Sequence, residues 1–118
     1  MAWALGVTVQ FAEWYLLLDV REQRSVRYSL TLLAEAGPLL GRPHVDTIRA
    51  SRYPNMKELR TQHGGRPYRM LFAFDTARTA IILVGGDKTG DQRWYDRMIP
   101  IADRLFEEHL ANLKETER

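Results

Sequence analysis

Tyr68-Arg69-Met70-Leu71-Phe72-Ala73-Phe74-Asp75, followed after three residues by Thr79-Ala80-Ile81-Ile82-Leu83-Val84-Gly85, decides the fold. Both runs are apolar, rich in β-branched or aromatic residues, and too short for typical helices, so they read as strands. The gap between them, Thr76-Ala77-Arg78, suits a hairpin. Upstream, Met56–Gln62 is a mixed strand candidate, separated from Tyr68 by His63-Gly64-Gly65-Arg66-Pro67. Three strands with such short connections predict an antiparallel meander.

Helices flank this core. On the N-terminal side, Ala2–Val7 is short and apolar and reads as an edge strand, and Thr8 offers an N-cap for a helix through Phe11, Trp14, Tyr15 and Leu18. A second helix starts at Asp19, carries Val26, Leu30 and Leu33 on one stripe, and stops at Gly37-Pro38. Residues 38–54, punctuated by Pro38, Gly41, Pro43 and Pro54, read as a loop. After the strands, Gly86–Gln92 reads as a polar loop. A C-terminal helix follows, with Pro100 near its first turn and a stripe of Ile101, Leu105, Phe106, Leu110 and Leu113. The predicted fold class is therefore α+β: a small antiparallel sheet of three to four strands, an N-terminal helical hairpin and a C-terminal helix, in one domain over residues 1–118.

Composition narrows the function. The chain has 118 residues, 45% hydrophobic and 27% charged, which excludes a disordered or fibrous protein. Its apolar runs, such as Trp14–Leu18, fall far short of the ~20 residues of a membrane span. No secretory leader is evident and there is no cysteine, so a cytoplasmic protein without disulfides or thiolate zinc is expected. The net charge is only +2, yet its distribution is uneven. Arg42, Arg49, Arg52, Lys57, Arg60, Arg66 and Arg69 face only Asp46 and Glu58 within their segment, making it +5 and the remainder −3. Such a middle reads either as a phosphate-binding face or as surface charge cancelled in three dimensions.

Most familiar chemistries fail on spacing. His44, His63 and His109 are scattered, so no metal site is expected, and His109 reads as a helix-surface residue. Gly85-Gly86-Asp87-Lys88-Thr89-Gly90 lacks the glycine before lysine that a Walker A loop needs, and no G-x-S-x-G elbow occurs. What survives is basic and aromatic. Strand alternation puts Tyr68, Met70, Phe72 and Phe74 on one face and Arg69, Leu71, Ala73 and Asp75 on the other. Arg69 is thus a charge in an apolar strand, either paired with Glu58 or kept for an external phosphate. Arg60 shares a face with Glu58. Lys88, Arg93, Trp94 and Tyr95 follow the last strand and suit RNA stacking and phosphate clamping, unless the two aromatics merely plug the helix against the sheet.

Gly37-Pro38, Gly41-Arg42-Pro43-His44-Val45-Asp46-Thr47, Asn55-Met56-Lys57-Glu58-Leu59-Arg60 and Tyr68–Asp75, with Gly86-Asp87-Lys88, Trp94-Tyr95, Ile99–Asp103 and His109-Leu110, together resemble one known family. They are similar to the phage-derived HigB-like branch of the RelE/ParE toxin superfamily, in order and over nearly the whole chain. The resemblance implies a RelE-like fold and the toxin half of a type II toxin–antitoxin pair. It implies a metal-independent endoribonuclease that cuts mRNA in the ribosome through attack of a ribose 2′-hydroxyl on the adjacent phosphate, with no cofactor. Its partners would be the ribosome, mRNA and a helix-turn-helix antitoxin, with no membrane. By resemblance Arg69 stabilises the scissile phosphate, Lys88 is the basic residue after the last strand, Tyr95 stacks or assists proton transfer, and Arg60 is a further basic strand position. Lys57, Arg49, Arg52, Arg93 and Trp94 are the expected RNA contacts. RelE proper has a lysine where this chain has Glu58, which leaves Glu58 as Arg69's ion partner or a general base. The alternative function is a ParE-like toxin that poisons DNA gyrase, and a third is an operon co-repressor.

Overall fold

The computed structural model describes residues 2–116. In chain order the elements are β1 (Ala4–Val7), α1 (Val9–Leu17), α2 (Val20–Ala36), a 3-10 turn (Gly37–Leu39), β2 (Val45–Thr47), β3 (Lys57–His63), β4 (Arg66–Phe74), β5 (Thr79–Asp87) and α3 (Trp94–Thr116). The class is α+β, and β3, β4 and β5 form the expected antiparallel meander. Its first turn is only Gly64-Gly65, because β3 and β4 pair as far as His63 and Arg66. Both glycines have positive φ, the conformation that a two-residue hairpin turn demands and that side chains resist.

The sheet is larger than the three to four strands expected, with five in the order β1-β5-β4-β3-β2. β1 is an edge strand as read, but it joins β5 in parallel, so the sheet is mixed rather than purely antiparallel. The helical hairpin carries the chain from the β1 edge to the β2 edge, and three antiparallel steps, β2 to β3 to β4 to β5, bring it back beside β1 in the same direction. The other addition is β2, inside the segment read as loop. Its three residues are too few to show a period, and it exists by pairing with Lys57–Leu59. The C-terminal helix also begins earlier than expected, so Pro100 is its seventh residue and lies inside the helix.

Helices cover both faces. Phe11, Val26 and Leu33 of the hairpin pack on Leu59, Tyr68, Met70, Phe72, Ala80 and Ile82. On the opposite face, Ile99, Ala102, Leu105 and Phe106 of α3 pack on Leu71, Ala73, Ile81, Leu83 and Val84. The alternation read along β4 is thus the one that divides the two cores. In β5 a bulge interrupts it: Leu71 pairs with Val84 and Phe72 with Ile82, leaving Leu83 over. Both hairpin helices are capped as their sequence asks. Thr8 accepts from the Phe11 N–H at 3.0 Å, and Asp19 and Glu22 form a reciprocal capping box.

Asp103 ties the loop before β3 to α3. This buried carboxylate accepts from the Ser51 hydroxyl and from the Arg52 N–H at 3.0 Å. His109, read as a surface residue, is instead hydrogen-bonded to Asp75 at 2.7 Å, fastening α3 to the β4–β5 turn. The cause is the helical register, which turns His109 toward the end of the sheet.

Candidate nucleic-acid cleavage site

Arg60 and Arg69 are direct cross-strand partners on β3 and β4. Two like charges placed opposite one another repel unless a counter-charge lies between them. Glu58 supplies it. This carboxylate is only 5% exposed, and its Oε1 lies 3.1 Å from Arg69 Nε, with Oε2 3.7 Å from an Arg60 Nη. Asp46, opposite Glu58 on β2, accepts from Arg60 at 3.2 Å and from Arg42 at 3.0 Å. The Arg69 Nη1 donates to the Tyr68 carbonyl at 2.9 Å. The Nε groups of both arginines are buried with no well-directed hydrogen bond among the described residues.

Tyr95 and Lys88 complete the cluster from the other side. Tyr95 donates its hydroxyl proton to Glu58 Oε1 at 2.6 Å, and Lys88 Nζ stands 5.6 Å from the centre of the Tyr95 ring. The turn after β5 delivers both. Asp87 accepts from the Thr89 N–H at 3.0 Å, and the Lys88 N–H donates to the Pro67 carbonyl at 3.0 Å, which fixes Lys88 beside β4. Four bases, Arg42, Arg60, Arg69 and Lys88, meet two acids, Asp46 and Glu58, so the cluster has a surplus of two positive charges.

Burial, then the hydrogen bond to Glu58 and that residue's charge, push the Tyr95 hydroxyl up to about 12 from its usual 10. At neutral pH Tyr95 is therefore a proton donor and not a base. The folded pKa lies above the unfolded one, so this contribution to stability is whole below pH 10 and fades as pH rises from 10 towards 12. In an ultraviolet alkaline titration, Glu58→Gln is expected to bring the Tyr95 ionisation down towards 10. An unmoved Tyr95 step would show that burial alone holds the proton.

The remaining expected contacts separate. Trp94 is corrected: at 4% exposure it fills the space beside Gly86 and cannot stack on a base. Arg52 is held by Glu107 at 3.1 Å and by Asp103 at 3.9 Å. Lys57 alternates onto the helical-hairpin face, opposite Arg60 and Arg69. Arg49 and Arg93 are exposed and, among the described residues, form no ion pair. The +5 segment is thus partly compensated by acids from outside it, Asp103 and Glu107 against Arg52 and Glu22 and Asp87 against Arg66. Missed by sequence reasoning were Asp46, which sits in the unrecognised β2, and the residues Tyr28, His44 and Gln62 that border Arg60 and Arg69. No local motif marks these, since α2, the β2 approach and β3 meet only in the fold. Among the described residues, no group of three or more His, Asp or Glu side chains is placed to hold a metal.

The sequence profile of the phage-derived protein Gp49-like family (DUF891) matches residues 13–107. The chain belongs to that family and is HigB-like. This Gp49-like chain is 49% identical to a Mycobacterium tuberculosis chain named as a toxin, HigB3, over 104 residues, covering 87% of itself and 90% of that relative. It is 45% identical to a second chain of that organism named as a toxin, HigB2, over 98% of itself but only 58% of the relative. Among solved structures, the intact E. coli RelBE toxin–antitoxin complex aligns over 72% of this chain and 95% of that one, with a TM-score of 0.55 at 10% identity. The isolated E. coli RelE toxin gives 0.57 at 11% identity over 73% and 84%. At that identity the likeness carries the fold. The Gp49-like sheet and helices are thus RelE-like.

Proposed function

We infer that this chain is the toxin of a type II toxin–antitoxin pair and that it cuts mRNA on the ribosome. The observation that carries this reading is the Arg60–Arg69 pair with Lys88 and Tyr95 around one surplus of positive charge. Attack of a ribose 2′-hydroxyl on the neighbouring phosphate needs in-line geometry and positive charge at the developing oxyanion. Arg69 and Lys88 supply the charge, so the reading assigns no metal to the reaction. Tyr95, protonated at neutral pH, turns its one hydroxyl proton from Glu58 to the phosphate or the leaving 5′-oxygen, while the proton of the attacking 2′-hydroxyl passes to solvent. Glu58 is the ion partner that holds Arg69 and Tyr95 in place, since its Oε1 already meets both groups. Arg60 holds the other side of the phosphate, and exposed Arg49 and Arg93 contact RNA further out.

A protein partner fits the helical hairpin, where Val9, Leu16, Leu17 and Val20 are exposed and apolar. In this reading that partner is an antitoxin with a helix-turn-helix domain, and both proteins act in the cytoplasm. Among the described residues, no helix is long and apolar enough to cross a membrane.

Two assays on the purified chain test the function. Primer-extension mapping of an mRNA on translating ribosomes is expected to show new 5′ ends only when the chain is present. Supercoiling by DNA gyrase in parallel is expected to be untouched. Intact mRNA with inhibited gyrase would replace the nuclease reading with the ParE-like one.

A further inference from the structure

At the arginine pair lies a cleft of about 420 Å³, lined by Tyr28, Pro43, His44, Arg60, Gln62 and Arg69. It exists because β2 is short. β2 pairs only with Lys57–Leu59, and the last bond along that edge runs from the Arg60 N–H to the His44 carbonyl at 2.7 Å. From Thr61 onward, no described strand covers this edge of β3. The Arg60 peptide points outward at this edge, so antiparallel alternation turns the Gln62 N–H and C=O outward as well. The cleft therefore offers a backbone donor and acceptor side by side with the Gln62 side chain. Tyr28 of α2 overhangs it and is 63% exposed, a poor position for a core aromatic.

We propose that this cleft is a nucleobase subsite that sets which nucleotide lies next to the cut. The proposal rests on the nuclease reading of Arg60 and Arg69, which form the floor shared by the cleft and the Glu58–Tyr95 cluster. A phosphate on the two guanidinium groups leaves its attached nucleoside to occupy the cleft. The Tyr28 ring supplies a stacking face, His44 a second ring, and the Gln62 amide and peptide read the edge of the base. These are the elements by which proteins select unpaired RNA bases, whereas duplex recognition would need a broad groove-fitting surface. The volume lies within the ordinary range of small-ligand sites.

The test uses the whole chain in two arms. In the first, fluorescently labelled 2′-O-methyl trinucleotides, which bind without being cut, are titrated by anisotropy against the free protein. Tyr28→Ala is expected to weaken binding about 5- to 150-fold, the range spanned by stacking one base on an aromatic ring. Tyr28→Phe, which keeps the ring, is expected to restore it. In the second arm, mRNA ends are mapped on ribosomes, and Gln62→Ala is expected to change the bases found beside the cuts. Tyr28 and Gln62 are both exposed, so neither variant threatens folding, and a thermal melt checks this. Equal binding by wild type and Tyr28→Ala, or no binding by wild type, overturns the subsite. So does loss of binding with Arg60→Ala but not with Tyr28→Ala, which would mean phosphate contact alone. Base-selective binding that depends on Tyr28, with no cleavage on ribosomes, would sustain the subsite and sink the nuclease reading instead.

Discussion

Arg69→Ala is expected to abolish mRNA cleavage and to lower stability at the same time, and a second substitution separates the two effects. Loss of one charged donor aimed at a developing oxyanion typically reduces the rate by about 10²–10³. Arg69 also has a structural duty, because its side chain is 11% exposed and faces a Glu58 carboxylate that is as well buried. Removing one member of a buried ion pair costs up to about 3–5 kcal/mol, and here Glu58 would keep only Arg60 at 3.7 Å and the Tyr95 hydroxyl. For a domain of this size the full cost is a fall of roughly 10 °C or more in Tm. Adding Glu58→Gln to Arg69→Ala removes the stranded charge, so most of the lost Tm should return while cleavage stays absent. A double variant that regained both would identify Arg69 as a structural ion partner with no part in the reaction.

The sequence was explicit about this site only along β4 and β5. Alternation put Arg69 and Leu71 on one face, and the structure has Leu71 in the α3 core with Arg69 just beyond it. It also supplied both readings of Trp94, and burial against Gly86 decides for the packing one. What it could not display was the compensation of charge between distant segments. Arg52 meets Asp103 and Glu107 across some fifty residues of chain, and Arg66 meets Glu22 across more than forty. A run of bases in sequence therefore overstated the basic face. β2 was hidden for a different reason: three residues carry no period, and their strand conformation comes from the partner strand rather than from propensity.

Gly86→Ala is expected to damage the site from a residue with no side chain of its own. Gly86 pairs with Arg69 across the β4–β5 ladder, and the Trp94 ring lies against it. A Cβ there would stand 2.3 Å from Trp94 Nε1 and 2.9 Å from Cε2, closer than atoms tolerate. The indole must shift, and Trp94 is the first residue of α3, so Tyr95 and its bond to Glu58 shift with it. Overpacking of this kind costs about 1–3 kcal/mol. A displacement of about 1 Å in a positioning group can cost ~10²-fold in rate. Gly85→Ala is the matched control, because its Cβ would strike Trp14 at 2.5 Å on the opposite face of the sheet, away from Glu58 and Tyr95. Denaturant unfolding should place both variants in the same range of lost stability. At a temperature where both remain folded, cleavage on ribosomes should collapse for Gly86→Ala and largely survive for Gly85→Ala. Equal activity in the two variants would mean that the Trp94 contact supports the fold without positioning Tyr95.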